Sequence, residues 1–281
     1  MENKVKYNGE FKNIDTPEKA YVLGLIYSDG HIGIYNNHYI TTICLHKDDL
    51  YLLEIIQKLF PFYKLEKHCS NKAYYLICSK KECIKDLMDN GVYQRKSTET
   101  KELLSMPDID ESLYSHFIRG YFDGDGSVYK QKQGNTKMEI VGTGFRIITD
   151  MIKILYDNRI IVNLRCKCVE KDLRKHAIYI LYTSSDKVSK QFANFIYKDC
   201  GELYLKRKYE KLYFIPVIKK REKLICPICG GKNTSYNSIR QMKHGLMQRG
   251  TCNDCKKGFS IPITAPLNSN IQSGEGELLE S

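Results

Sequence analysis

Two sets of residues in this chain have the types and the spacing of chemistry. The first is a repeated carboxylate. The segment Val22-Leu-Gly-Leu-Ile-Tyr-Ser-Asp-Gly30 recurs as Ile118-Arg-Gly-Tyr-Phe-Asp-Gly-Asp-Gly126, so that Gly24, Asp29 and Gly30 are answered 96 residues later by Gly120, Asp125 and Gly126. Read as helices, the copies carry Gly24 with Ser28, and Gly120 with Gly124, four apart on one face. Such a stripe of small residues lets two helix backbones approach closely. Asp29 and Asp125 then end the two helices side by side on a pseudo-twofold axis, and Gly30 and Gly126 are expected to form left-handed helix stops. A carboxylate is badly placed there, because the helix macrodipole is negative at that end and the two acids repel each other. A divalent cation between them removes both penalties. Hard oxygen donors with few histidines nearby favour Mg²⁺ over zinc, and such an ion beside a phosphodiester can activate water and stabilise the leaving oxygen. A single Asp-Gly reads as a helix that simply stops; its recurrence with the same neighbours argues for chemistry.

The second set is Cys226-Pro-Ile-Cys229 with Cys252-Asn-Asp-Cys255. Two CxxC pairs separated by 22 residues suit two knuckles around one tetrahedral, structural Zn²⁺. A redox dithiol would need only one pair, in a βαβ context. Gly230-Gly231 and Gly258 are expected to permit the tight turns that aim backbone amides at the thiolates. His244 is a possible substitute ligand, but four cysteines already complete a structural site.

The elements that position these residues follow the repeat. After the first motif, residues 31–46 alternate with the period of strands, with Asn36-Asn37 as the turn; residues 127–142 do the same, turning near Gly134-Asn135. Helical spacing takes over in Leu50, Leu53, Ile56 and Leu59, and again in Ile147, Met151, Ile154 and Leu155. A second strand pair follows, over 62–68 and 74–79 in one half and over 161–170 and 176–183 in the other, where Leu164, Cys166 and Cys168 alternate with Arg165 and Lys167. Each half closes with a helix and a basic cluster, Arg95-Lys96-Ser97 and Lys206-Arg207-Lys208. The expected class is α+β: two pseudo-symmetric αββαββα units over residues 1–108 and 109–215, a basic linker at 216–224, a zinc ribbon at 225–262, and a disordered tail at 263–281.

Length and composition narrow the partner. At 281 residues, 42% hydrophobic and 27% charged, the chain is neither disordered nor fibrous. Its net charge of +11 suggests a polyanion, and a nucleic acid first. No apolar run is long enough to cross a bilayer and the first residues offer no signal peptide, so a soluble, intracellular protein with reduced thiols is expected and no membrane partner.

Both motifs resemble the LAGLIDADG motif of homing endonucleases, and His116-Phe-Ile-Arg-Gly-Tyr-Phe-Asp-Gly-Asp-Gly-Ser127 is the closer match. The resemblance covers roughly residues 15–215, and its two-copy form is similar to the single-chain, monomeric members of that family. It implies curved antiparallel sheets forming a saddle over double-stranded DNA, with strands in the major groove. It implies Mg²⁺-dependent hydrolysis of both strands across the minor groove to leave 3′ overhangs, in the service of intron homing. The metal acids carry over to Asp29 and Asp125, with Gly30 and Gly126 beside them at the metal. Asp123 does not carry over, since Tyr27 stands in its place in the first copy. The family's basic residue near each active centre falls best on Lys96 and Lys208. Candidate DNA contacts are Tyr35, Asn37, His38 and Thr41 in the first half, and Lys130, Lys132, Asn135, Lys137, Arg165, Lys167, Lys206 and Arg207 in the second; because the two sets differ, an asymmetric target is expected. A LAGLIDADG scaffold can also be a non-cleaving DNA-binding regulator or an RNA maturase that assists splicing. The cysteine segment resembles zinc ribbons attached to some transposases and phage DNA-binding proteins; the charge of its loop, with Arg240, Lys243, His244 and Arg249, favours contact with phosphates, the alternative being a small folding module or a protein-binding knob.

Overall fold

The computed structural model describes residues 5–94, 96, 101–131, 134–171, 174–213, 224–242 and 245–262. It divides into two compact units, one of Met1–Gln131 with Asn135–Val217 and one of Lys132–Gly134 with Ile218–Ser281. Both halves of the repeat therefore lie in one unit.

The first half runs α1 (Pro17–Asp29), β1 (Gly30–Tyr35), β2 (His38–His46), α2 (Leu50–Leu59), β3 (Lys64–Lys67), β4 (Ala73–Cys78) and α3 (Lys81–Asp89). The second repeats it as α4 (Tyr114–Asp125), β5 (Gly126–Lys130), β6 (Thr136–Gly142), α5 (Phe145–Asp157), β7 (Asn163–Lys171), β8 (Arg174–Thr183) and α6 (Asp186–Tyr197). It then adds α7 (Lys206–Tyr213), so the second basic cluster forms the first turn of a further helix. Each half builds a four-stranded antiparallel sheet, in the order β1-β2-β4-β3 and β5-β6-β8-β7. The expected turn at Asn36-Asn37 forms with both residues at positive φ, 47° and 60°, the pairing that a two-residue hairpin of matching twist requires.

Helix α1 starts where Thr16 accepts a hydrogen bond from the Lys19 N–H and Pro17 occupies the first turn. Every residue from Ala20 to Tyr27 is buried, as is every residue from His116 to Asp123 in α4. Helices buried on all sides belong at the centre of a fold, and these two pack on each other. The crossing points are Gly24 and Gly120: a Cβ on Gly24 would stand 2.1 Å from the Phe117 carbonyl oxygen, and one on Gly120 would stand 2.0 Å from that of Tyr21. The sheets lean one face on the helices. In β2, Thr41, Ile43 and Leu45 turn inward while His38, Ile40, Thr42 and Cys44 lie on the other face. The period of two puts Ser127, Tyr129, Lys137 and Glu139 together on the corresponding face of the second sheet, with Tyr182 and Arg165 in register beside them.

One expectation needs correction. Gly30 and Gly126 are not left-handed stops: their φ values are −76° and −84°, with ψ near 150°, and each chain passes straight from helix into strand. Glycine is required there for space. A Cβ on Gly30 would lie 2.6 Å from Ile26 Cα, and one on Gly126 would lie 2.4 Å from the Phe122 carbonyl oxygen.

The second unit is a three-stranded antiparallel sheet in the order β11-β10-β9, formed by β9 (Thr234–Met242), β10 (Gly245–Cys252) and β11 (Gly258–Pro262). Cys226, Cys252 and Phe259 make its small core, with Leu224, Cys255 and Ile261 against them. Among the described residues, no helix is long and apolar enough to cross a membrane.

Because backbone lies on both sides of each crossing, neither glycine can accept a methyl group by moving a side chain. Gly120→Ala is expected to lower the unfolding free energy by about 3 kcal/mol or more, the upper end for overpacking. Denaturant titration of the isolated variant measures it, and a loss below about 1 kcal/mol would mean that the helices are not in backbone contact.

Candidate active site

The crossing of α1 and α4 brings their C-terminal ends together, and with them Asp29 and Asp125. A Cβ on Gly124 would lie 3.2 Å from Asp29 Cγ and 2.0 Å from Ser28 Oγ, so the first carboxylate rests against the second helix where that helix lacks a side chain. Solvent reaches both acids, Asp29 more than Asp125, yet protein crowds them on most sides. That crowding, by desolvation, raises Asp29 above the usual carboxylate range against the pull of Lys208, Lys96 and Arg207. Desolvation, and then the charge of Asp29, push Asp125 up to about 6. Among the described residues neither carboxylate accepts a hydrogen bond. Two acceptors without donors, open to solvent and repelling each other, are the donor set of a hard divalent cation, and they fit one.

Lys96 and Lys208 stand at the same two helix ends. Lys96 Nζ donates to the carbonyls of Ile26 (2.6 Å), Ser28 (2.7 Å) and Gly30 (2.6 Å). Lys208 Nζ donates to those of Phe122 (2.8 Å), Asp123 (2.6 Å) and Gly124 (3.1 Å). Those of Ser28, Asp123 and Gly124 are carbonyls that a helix leaves unpaired at its C-terminus, while those of Ile26 and Phe122 also accept the Gly30 and Gly126 N–H groups; at such an end a cation opposes the macrodipole. Three acceptors use all three protons of an ammonium. Each lysine is therefore held as a cation with every donor spent, a fixed positive charge at the acids rather than a free hand for phosphate. Burial pulls both down to about 8, while Asp125 and Asp29 hold Lys96 up and Asp123, Asp29 and Asp125 hold Lys208 up. The Gly30 carbonyl, expected beside the metal, is taken by Lys96 in this arrangement.

The segments that deliver these lysines are braced across the repeat. Tyr51, at the start of α2 in the first half, donates its hydroxyl to the Tyr204 carbonyl (3.0 Å) and accepts the Lys206 N–H (2.6 Å). Arg207 Nε pairs with the buried Asp49 carboxylate at 3.0 Å. Reciprocally, α5 of the second half grips the chain that follows Lys96: Asp150 accepts the Met106 N–H (3.0 Å), and the Ile147 N–H donates to the Leu104 carbonyl (3.0 Å).

Several candidate DNA contacts are placed differently from the sequence expectation. Thr41 is fully buried, because its parity in β2 is that of Ile43 and Leu45, so it cannot touch a duplex. Arg207 pairs through Nε with Asp49 and Lys206 lies over the Tyr51 ring at 4.4 Å, while both side chains remain exposed. Lys137 is 8% exposed, pairs with Glu139 at 2.7 Å and lies over the rings of Tyr129 and Tyr182. Arg165 stacks on Tyr182, and its Nε is buried without a partner. Tyr35, Asn37, His38, Lys130, Asn135, Lys167 and Arg249 are exposed, and Arg240 lies on β9. Lys132, Lys243 and His244, along with Arg95, Ser97, most of the linker and the tail, lie outside the described residues. Sequence reasoning missed Glu139, whose place two residues from Lys137 in a strand was the available signal. It also missed Asp49, Tyr51 and Asp150, whose partners are more than 40 residues away and carry no local signature.

The four cysteines converge. The ligand atoms of Cys226, Cys229, Cys252 and Cys255 all lie within 4.8 Å of one another. The N–H groups of Ile228 and Cys229 point at the Cys226 thiol, and that of Gly231 points at Cys229. Four sulfurs aimed inward with amide donors behind them are the donor set of a tetrahedral zinc site. Each knuckle turns on a left-handed residue four positions after its first cysteine, Gly230 (φ 71°) and Lys256 (φ 61°). Gly258, expected to make the second turn, instead begins β11, where a Cβ would stand 3.9 Å from the Gly250 carbonyl oxygen.

Residues 112–196 match the family model of the LAGLIDADG-like domain. No curated protein matches the sequence. Similar solved structures include that of mesophilic variants of the homing endonuclease I-DmoI, at 15% identity and a TM-score of 0.44, covering 64% of this chain and 88% of that one. The LAGLIDADG meganuclease I-AabMI bound to uncleaved DNA aligns at 15% identity and a TM-score of 0.47, covering 70% and 88%. I-SmaMI bound to cleaved DNA aligns at 17% identity and a TM-score of 0.44, covering 70% and 86%.

The crowding of Asp125 has a pH signature. With its native value raised to about 6 from an ordinary 3.8, the native state binds more protons than the unfolded state between those values, so stability falls as pH rises through that window and the penalty is complete above it. In metal-free protein, Asp125→Asn is expected to be more stable than the parent at pH 7.5 by about 1–2 kcal/mol, after allowance for solvent screening. The difference should vanish near pH 4. Thermal melts across pH check it, and a difference independent of pH would reject the assignment.

Proposed function

We propose that this chain is a site-specific, double-strand DNA endonuclease of the LAGLIDADG homing type, acting with Mg²⁺. The observation that carries the reading is the pair of carboxylates, without donors among the described residues, at the ends of two pseudo-twofold helices, each with an ammonium fixed beside it. Asp29 and Asp125 are the residues that would hold the divalent ion, which supplies a polarised water and neutralises charge at a scissile phosphate. Lys96 and Lys208 keep two positive charges within reach of that phosphate and lower the cost of holding two acids together. The match of residues 112–196 to the LAGLIDADG-like domain supports the same reading.

The exposed faces of the two sheets would lie along the duplex. Tyr35, His38, Ile40 and Thr42 lie on the first face, and the register puts the paired Lys64 and Glu66 of β3 on the same face. The second carries Lys137, Glu139, Arg165 and Lys167. Because the two faces carry different side chains, a target without a palindrome is favoured, read by one chain acting as a monomer. A duplex library is the direct test: binding without cleavage would turn the reading toward a DNA-binding regulator, and preference for RNA toward a maturase.

In this reading the second unit is a zinc ribbon that grips phosphates. Residues 206–262 hold 14 Lys and Arg against 3 Asp and Glu, so most of the net charge of +11 lies in the last helix, the linker and the ribbon. Four thiolates around Zn²⁺ remove about two of those charges and leave the segment basic.

Asp29→Asn and Asp125→Asn should each abolish double-strand cleavage in Mg²⁺ while binding to the selected target survives; either variant cutting at the parental rate would dismiss the site. Freshly purified protein should contain one zinc per chain by elemental analysis, and Cys252→Ser should contain none. Removal of residues 216–281 should weaken DNA binding and flatten its salt dependence, since each neutralised phosphate contributes a slope of about −0.9. An unchanged slope would mean that the basic segment does not touch DNA.

A further inference from the structure

The position two residues before each motif carboxylate holds different side chains, Tyr27 in α1 and Asp123 in α4, and the resemblance gives Asp123 no role at the metal. Asp123 is nonetheless 1% exposed. Its Oδ2 accepts the Tyr21 hydroxyl at 2.7 Å and the Leu205 N–H at 2.9 Å. Leu205 is the residue from which α7 departs, since its carbonyl receives the N–H groups of Lys208 and Tyr209. Arg119, one turn earlier on α4, takes the Leu203 carbonyl at 2.8 Å. The start of α7 is thus sewn to the motif helix, and Lys208, one turn further on, falls on the end of that same helix.

Tyr27 does the equivalent work with the opposite polarity. Its hydroxyl donates to the Asn90 carbonyl at 2.6 Å, at the end of α3 and six residues before Lys96. The next residue, Gly91, has φ 85°, and a Cβ there would stand 2.1 Å from the Tyr27 hydroxyl, so the chain makes room for the ring. In each half, one side chain of the motif helix holds the segment that returns a lysine to the end of that helix. One is an acceptor for an N–H and the other a donor to a carbonyl, which is why the two sequences differ while the geometry is shared.

We propose that Asp123 and Tyr27 are positioning residues, each setting the lysine of one active centre, Asp123 for Lys208 and Tyr27 for Lys96. The assignment of centres rests on the endonuclease reading above; the positioning itself does not. The two sites are separable, because neither anchor touches the other lysine. Loss of one anchor should therefore loosen one lysine and slow one strand.

Two measurements test this on the full chain. The first labels lysines with an acetylating reagent and reads each site by mass spectrometry, without any need for cleavage. Asp123→Ala should raise the labelling rate of Lys208 by about tenfold or more, the scale of a lost buried hydrogen bond to a charged group, and leave Lys96 at its parental rate. Asp123→Asn keeps an acceptor oxygen and should restore much of the protection. Tyr27→Phe, which removes only a hydroxyl, should do the converse, and it carries the test if Asp123→Ala does not fold. Parental protection of Lys96 in Tyr27→Phe and of Lys208 in the folded Asp123 variants, or equal loosening of both lysines, would overturn the proposal. The second measurement follows nicking of each strand of the selected target. The strand slowed by Asp123→Asn should be the one slowed by Lys208→Met, and Tyr27→Phe should slow the opposite strand together with Lys96→Met; the same strand in both pairs would overturn it. A parental protein that cuts neither strand refutes the endonuclease reading and leaves the labelling result to decide the positioning.

Discussion

Contact between the backbones of α1 and α4 at Gly24 and Gly120 is the constraint on which the rest of this protein depends. Two helices separated by ordinary side chains would keep their axes about 8–10 Å apart, and their ends would be independent. Glycine at both crossing points removes the spacer, and Gly124 leaves room for Ser28 and Asp29. Two carboxylates are thereby forced into a common site that neither helix would choose electrostatically. The strain is local and the compensation is local too: a lysine on each helix end satisfies three carbonyls and supplies one positive charge. What is left without a partner among the described residues is the acceptor capacity of the two carboxylates, the feature on which the proposed chemistry rests.

The lysines belong to segments far from the motif in sequence, so their placement is a problem of tertiary structure. It is solved twice, from within each half by the side chain at the Tyr27 or Asp123 position, and from the opposite half by the helix after the first hairpin. Asp49 and Tyr51 hold α7, while Ile147 and Asp150 hold the chain at 104–106. The halves are consequently not two modules set side by side. Each one completes the support of the other's basic residue, so a single chain carrying both motifs has a structural rationale beyond tethering.

Much of this was legible in the sequence because the repeat made it so. A motif seen once could have been a helix that stops; seen twice it fixed the central helix pair, the strand alternation behind each copy, and the meeting of Asp29 with Asp125. The cysteine spacing was legible for the same reason, that few arrangements of four thiols have so regular a pattern. The left-handed conformation assigned to Gly30 and Gly126 was wrong because glycine has two uses, conformational freedom and absence of volume, and composition cannot tell them apart. Thr41 was misplaced because a strand's parity flips with one residue of register, and polar β-branched residues occupy either face. Lys137 and Arg207 looked like free cations because their acidic partners were not read from the sequence. A strand neighbour two residues away reveals Glu139, but nothing local reveals Asp49.

The asymmetry between halves is instructive about how such a repeat diverges. Backbone contact at the centre is held by Gly24 and Gly120, and the entry to each first strand by Gly30 and Gly126, positions that are the same in both copies. Where a requirement is only that one segment be tied to another, unlike residues satisfy it, as a tyrosine donor and an aspartate acceptor do at equivalent positions. The outer sheet faces also differ, with His38, Tyr35 and an exposed Lys64–Glu66 pair on one side and a packed cluster of Lys137, Glu139, Tyr129 and Tyr182 on the other. In the proposed reading those outer faces are the ones that meet DNA, and they are not insulated from the site, since Cys44 on the first feels the charge of Asp29.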